Sequence, residues 1–287
     1  MKVLLTGANG QLGHCFRDIF PVDWQLISTD KEQLNITDSL AVDAFIFKNN
    51  PDAIVNAAAY TAVDNAEDDY ELANKINVLG PKNLAISAKK YNAKLIHIST
   101  DYVFDGTKKS PYLETDSTNP INVYGRTKRD GESIVLQYDS SSIVIRTSWV
   151  FSEYGKNFVK TMLQLSGKKE ELSIVEDQIG NPTYAGDIAK MIITVLTENI
   201  NGGIYHYCGN NSTSWYLFAN QIFKSAFKLG KINRIPRIYP TNTESFPTKA
   251  KRPLYSVLDM KKLKEYNLTA SNWKKQLDFC ISKIDLN

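Results

Sequence analysis

The sequence predicts an α/β chain built on a doubly wound parallel sheet, with a smaller C-terminal part. Three observations predict it. Short apolar runs alternate with amphipathic helical stretches through the first half, the pattern of a parallel sheet covered by helices on both faces. The first run ends in a turn with three glycines that opens a helical stretch. The 287 residues are 43% hydrophobic and 23% charged, an ordinary globular balance that excludes disordered and fibrous architectures. That length accommodates one large domain or two modest ones.

In chain order, strands are expected at residues 2–6, 26–29, 53–56, 94–99 and 143–146, and helices at 11–20, 39–50, 71–91 and 124–138. Right-handed crossovers then place a ligand crevice at the carboxyl ends of the strands, the Rossmann arrangement. The second half is less regular. A strand is expected at 172–175, a helix at 186–197, a strand at 203–208 and a helix at 214–228. Pro236, Pro240, Pro247 and Pro253 fall within 231–257, which reads mostly as loop. Residues 1–150 are thus expected to form a nucleotide-binding Rossmann domain and 151–287 a substrate-binding part. The helix near 186–197 and the strand near 203–208 are candidates to rejoin the first sheet.

Charge and cysteine usage remove several function classes. The 34 basic and 31 acidic residues leave a net charge of +3, without the basic excess of a dedicated nucleic-acid binder. Cys15, Cys208 and Cys280 are odd in number and far apart, with no zinc spacing, and read as reduced thiols of a cytoplasmic protein. The apolar run at 3–5 is cut by Thr6 and Gly7, too short for a signal-peptide core, and no run approaches the ~18 residues of a membrane span. His97 alternates within a strand as a core residue, and His14 and His206 lack neighbours at ligand spacing, so no metal is expected.

Gly7, Gly10 and Gly13 lie between the first strand and the first helix. Glycine permits a tight turn, backbone approach to a pyrophosphate, and close helix–strand packing, while the helix N-terminus offers unpaired N–H groups to phosphates. The spacing G-x-x-G-x-x-G differs from the usual G-x-G-x-x-G, and a plain strand–helix connection has the same outline. Asp30 closes the second strand 17 residues past Gly13, where a carboxylate receives ribose hydroxyls and favours NAD. Lys31 follows it and suits a 2′-phosphate instead, so both nicotinamide cofactors stay open.

Tyr124 and Lys128 are spaced i and i+4 on one expected helix, so both point into one cleft. A lysine cation and a nicotinamide cation near the phenol would lower its pKa, which is ordinarily about 10, toward neutrality. Such a tyrosine donates a proton to a carbonyl oxygen while hydride arrives at carbon. Ser99, Thr100 and Asp101 end a strand at the ligand-binding edge, where a hydroxyl reaches the same oxygen or merely satisfies a turn.

Six stretches in order, GANGQLG (7–13), NAAAYTAVDNAE (56–67), STDYVFDG (99–106), NVYGRTKRDGE (122–132), RTSWVF (146–151) and DQIGNPT (177–183), resemble the extended short-chain dehydrogenase/reductase superfamily. Within it the chain is similar to the dTDP-4-dehydrorhamnose reductase family, over nearly its whole length and most densely in the first two thirds. The Gln11-Leu12 pair separates it from the TGGxGFIG opening of sugar-nucleotide epimerases. The resemblance implies that Gly10, Gln11 and Leu12 line the cofactor pyrophosphate, Asp30 the adenosine ribose, Asn35 and Ile36 the adenine, and Ala57, Ala58 and Ala59 a close wall. It implies Tyr124 as proton donor, Lys128 on the nicotinamide ribose, Thr100 on the keto oxygen, Asp101 in substrate binding and Trp149 against the sugar. The implied reaction is reduction of dTDP-4-dehydro-6-deoxy-L-mannose to dTDP-L-rhamnose by NADPH or NADH.

The diphosphate of that substrate would give Lys249, Lys251 and Arg252 a use. Two departures matter. Asn35 stands where the family usually has aspartate. Cys15 replaces a glutamate that binds magnesium at a dimer contact, so no magnesium requirement is expected and monomer and homodimer both stay open. Two other readings stay open as well: a reductase or epimerase for a different nucleotide sugar, and a binding protein like the regulatory β-subunit of methionine adenosyltransferase.

Overall fold

The computed structural model describes residues 1–198 and 200–285; residue 199 and the end of the expected second part, 286–287, lie outside the described residues. Strands β1 (Lys2–Thr6), β2 (Gln25–Thr29), β3 (Ala53–Asn56), β4 (Lys94–Thr100) and β5 (Ile143–Thr147) alternate with helices α1 (Gln11–Asp18), α2 (Ser39–Asn49), α3 (Tyr70–Asn74), α4 (Gly80–Lys90) and α5 (Val123–Tyr138). They are followed by β6 (Val150–Phe151), α6 (Phe158–Ser166), β7 (Glu171–Val175), β8 (Ile179–Gly180), β9 (Thr183–Tyr184), α7 (Ala185–Thr197), β10 (Gly203–His206), β11 (Thr213–Ser214), α8 (Trp215–Lys228), β12 (Arg237–Thr241), α9 (Lys261–Lys264) and α10 (Trp273–Lys283).

Six strands form one parallel sheet in the order β10-β5-β4-β3-β1-β2. Period two explains how it buries both faces. Val3 and Leu5 pack with Phe16 of α1 and Ile188 and Ile192 of α7 on one side. Leu4, between them, faces the other way onto Val42 and Ile46 of α2, Leu84 of α4 and Val135 of α5. Helix α7 therefore covers the same face as α1, and β10 extends the first sheet beside β5. The chain runs from β1 outward to β2 and then back across to β3, which opens a crevice at their carboxyl ends.

A third core, built from Phe151, Leu163, Leu172, Phe218, Phe223, Trp273 and Leu277, supports the C-terminal part. Here the structure departs from the loop expected over 231–257. Residues Arg237–Thr241 form β12 and pair in parallel with β7, with Pro240 opposite Ile174. Proline is tolerated because β12 is bonded on one side only, so its missing N–H leaves no ladder partner unpaired. Helices α6 and α10 were not expected; Asn157 and Asn272 cap them, accepting from the N–H groups of Lys160 and Lys275.

The expected helix over 71–91 is continuous in path but passes through a π turn at Lys75–Leu79 between α3 and α4. Pro81 is the cause: it lacks the N–H that would bond to the carbonyl of Asn77, and the helix widens ahead of it. The strand expected over 203–208 ends at His206, and the helix over 11–20 ends at Asp18. Among the described residues, no helix is long and apolar enough to cross a membrane.

Candidate active site

An open cavity of about 1130 Å³ lies at the carboxyl ends of the strands, between the sheet and the C-terminal part. Gly7, Gly10 and Gly13 line one end and serve different purposes. Gly7 takes a left-handed φ of +71°, and a Cβ there would lie 2.6 Å from the backbone nitrogen of Ala58. Gly13 backs onto the turn, since its Cβ would lie 2.4 Å from the Gly7 carbonyl oxygen. Gly10 is the N-cap of α1 and provides no side-chain cap, so the first N–H groups of the helix keep no helical acceptor. Gln11 is oriented from afar: its Oε1 accepts from Ser152 Oγ at 3.0 Å and Asn157 Nδ2 at 2.9 Å. Those bonds leave its amide N–H groups to be offered to the cavity.

Asp30, Asn35 and Ile36 line the same cavity. Asn9 Nδ2 donates to Asp30 Oδ2, and the N–H of Glu32 donates to Asp30 Oδ1 at 2.9 Å, so the carboxylate is held in place. Lys31 has a side chain 88% exposed and only a 3.7 Å contact with Glu32. Ala57, Ala58 and Ala59 form the near wall. That wall is fixed by residues the sequence reading overlooked. Buried Asn56 accepts from Thr6 Oγ1 at 2.8 Å and from the Ala58 N–H, and its Nδ2 lies 2.9 Å from His97 Nδ1. Buried Asn77, in the π turn, accepts from the N–H of Tyr60 at 2.8 Å and donates to Tyr60 O and Thr127 Oγ1. One side chain thus ties the wall to α5.

Thr100, Asp101, Tyr124 and Lys128 all line the cavity. Asn122 starts α5, its Oδ1 accepting from the N–H of Gly125 at 2.7 Å, and so sets the rotation at which Tyr124 and Lys128 emerge together. Burial pushes the Tyr124 phenol up to about 12, opposed by the nearby Thr100 hydroxyl. The lowering expected from the sequence needs Lys128 and a nicotinamide cation together beside the phenol. Among the protein groups alone, loss of hydration by the phenolate dominates, and Lys128 Nζ donates to the Ile98 carbonyl at 2.6 Å. Burial pushes Lys128 down to about 8, with Glu132 acting the other way. Asp101 is 2% exposed, and burial raises it to about 7 against a hydrogen bond from Thr100 Oγ1 to its Oδ1 at 3.1 Å, while its Oδ2 has no partner among the described residues.

Beneath the site lies a buried ion pair that spacing alone does not reveal. Arg146 on β5 donates to Glu132 at 2.9, 3.1 and 2.7 Å, and Ser99 Oγ also donates to Glu132. On the opposite flank Trp149 lines the cavity, and Trp215, which the sequence reading also missed, lies flat on it with ring centroids 3.5 Å apart. Arg252 is not among the residues lining the cavity. It forks onto Asp64 at 3.0 and 2.7 Å, and Lys249 pairs with Asp68. Cys15 is buried in α1, its thiol pushed up to about 12 mainly by burial. Among the described residues, no group of three or more histidine, cysteine or acidic side chains is placed to hold a metal.

The dTDP-4-dehydrorhamnose reductase of Aggregatibacter actinomycetemcomitans is 42% identical over 285 residues, covering 96% of this chain and 97% of that protein. A probable dTDP-4,6-dihydroxy-2-methyloxan-3-one 4-ketoreductase of Streptomyces antibioticus is 38% identical over 261 residues, 90% of this chain and 86% of its own. The crystal structure of dTDP-4-dehydrorhamnose reductase from Bacillus anthracis in complex with NADP matches with a TM-score of 0.92 at 37% identity, covering 97% of this chain and 98% of that one. The sequence profile of the RmlD substrate binding domain family matches residues 1–286, and by that full-length match the chain belongs to this family.

Proposed function

We propose that this chain reduces the 4-keto group of dTDP-4-dehydro-6-deoxy-L-mannose to give dTDP-L-rhamnose, using NADPH or NADH, in the cytoplasm. One observation carries the reading: Thr100 from the end of β4 and Tyr124 and Lys128 from α5 line a single cavity with the glycine turn. The similarity to dTDP-4-dehydrorhamnose reductases supports the substrate. We assign residues 1–150, together with α7 and β10, to the cofactor side and the rest of the C-terminal part to the substrate side.

The residues fit a dinucleotide. Gly7 and Gly13 let the turn pack tightly on Ala58 and on α1, the N-terminus of α1 carries unpaired N–H groups for phosphate, and Asp30 stands where ribose hydroxyls are received. A reduced nicotinamide supplies the hydride. Tyr124, protonated at neutral pH as an ordinary phenol is and held so more firmly by desolvation, donates to the keto oxygen and yields its proton as negative charge develops there. Thr100 turns its one hydroxyl proton from Asp101 Oδ1 to that oxygen as a second hydrogen bond. Lys128, a cation below about pH 8, stabilises the phenolate left behind and holds the nicotinamide ribose hydroxyls. Asp101 receives a sugar hydroxyl, and Trp149 covers the sugar ring.

The test is consumption of NADPH or NADH at 340 nm with the 4-keto sugar nucleotide. Tyr124→Phe is expected to lower kcat by about 10²–10⁴ with cofactor binding kept, because only proton donation is lost. Near-normal turnover by that variant removes Tyr124 from its role. The Streptomyces relative favours a second reading, reduction of a different 4-keto sugar nucleotide by the same groups. A panel of such substrates ranked by kcat/KM separates the two.

A further inference from the structure

Trp149 has a backbone φ of +45°, the left-handed region that a residue with a bulky side chain enters only when its surroundings hold it there. Three contacts do so. The carbonyl of Trp149 accepts from the N–H of Thr183 at 3.2 Å. Its indole packs directly on the backbone of Gly180, where a Cβ would lie 2.5 Å from the ring. Its ring also lies on that of Trp215, with centroids 3.5 Å apart and planes 7° apart.

The second tryptophan is itself firmly placed. Trp215 opens α8 just after its cap Ser214, whose Oγ accepts from the N–H of Leu217 at 3.1 Å. Residues Thr213 and Ser214 pair antiparallel with Gly180 and Ile179, so the ribbon that carries Gly180 also carries Trp215. Phe158 of α6 backs it, with ring centroids 4.6 Å apart. Both indoles line the cavity that also holds Thr100 and Tyr124.

We propose that Trp215 is a positioning residue for the sugar nucleotide: stacked on Trp149, it holds that indole as a flat apolar wall for the C–H face of the sugar ring. The proposal rests on the reductase reading above and extends it to a residue outside the six motifs. A wall of fixed aromatic surface orients a pyranose without a polar contact and leaves the hydrogen-bonding groups at Thr100 and Tyr124 to select the keto oxygen. Because Trp215 acts through Trp149, its removal should matter only while Trp149 is present.

The experiment is a double-mutant cycle with Trp149→Ala, Trp215→Ala and both, read as kcat, KM for the 4-keto sugar nucleotide and KM for NADPH. Trp215→Ala is expected to raise the sugar-nucleotide KM about tenfold, with NADPH KM unchanged. Trp215→Phe, which can still stack, should restore most of it. The double variant should be no worse than Trp149→Ala alone. Multiplying effects, or an unchanged KM in Trp215→Ala, overturn the proposal. Circular dichroism gives a second readout that needs no turnover, since parallel indoles in contact couple their ultraviolet transitions. The couplet should be present in the wild-type protein and shift when dTDP-L-rhamnose is added; no shift on saturating binding overturns the proposal even if Trp215→Ala fails to fold. A wild-type protein inert on every 4-keto sugar nucleotide would instead defeat the reductase reading.

Discussion

Replacing Glu132 by leucine tests how α5, which carries Tyr124 and Lys128, is held. Glu132 lies one turn beyond Lys128 on α5 and accepts three hydrogen bonds from Arg146 and one from Ser99. Both charged side chains are only 3% exposed. Without the carboxylate, Arg146 stays charged in the interior, left with His206 Nε2 at 3.4 Å and the Phe104 ring at 5.1 Å. Burial and the Arg146 charge hold His206 down to about 3, so it accepts from Arg146 but cannot offset its charge. Breaking such a pair costs about 3–5 kcal/mol. At roughly 2–4 °C per kcal/mol for a chain near this size, Tm should fall by about 6–20 °C. The double variant Glu132→Leu, Arg146→Met removes both charges and should recover most of the loss, because neither desolvated ion remains. Urea denaturation and thermal melts of the three proteins measure this. A single variant within about 1 kcal/mol of wild type, or a double variant worse than the single, would refute the reasoning.

Further outcomes follow from individual contacts. Gly13→Ala places a Cβ 2.4 Å from the Gly7 carbonyl and should cost about 1–3 kcal/mol along with cofactor affinity. Gly10→Ala meets only the Gly7 oxygen at 3.3 Å and should spare stability while weakening NADPH, as fluorescence titration and melting would show. Asp101, raised to about 7 from an unfolded value of about 3.9, is protonated in the folded chain and ionised in the unfolded chain between those pH values. Stability therefore falls as pH rises from about 4 to 7. Asp101→Asn escapes this, so its unfolding free energy relative to wild type, measured by urea denaturation, should rise between pH 4 and pH 8, by a few kcal/mol at most, while kcat/KM drops. Arg252→Ala releases Asp64 and should raise the sugar-nucleotide KM more than it lowers kcat; the opposite pattern in steady-state kinetics removes Arg252 from substrate binding.

The features legible along the linear chain are local or periodic. The all-buried runs of β3 and β5, the glycine turn and the four-residue spacing of Tyr124 and Lys128 follow from chain geometry within a few residues, and the fold placed them accordingly. Tertiary structure decided the rest. Arg252 meets Asp64 across 188 residues, Gln11 meets Asn157 across 146, and Trp149 meets Trp215 from separate elements, so no window of sequence contains such a pair. Pro240 reads locally as a breaker and becomes part of a strand only because β7 offers a partner on one side. The protonation states at the site belong to this second group: water removed by packing, which no spacing encodes, raises Tyr124 and Asp101 and lowers Lys128.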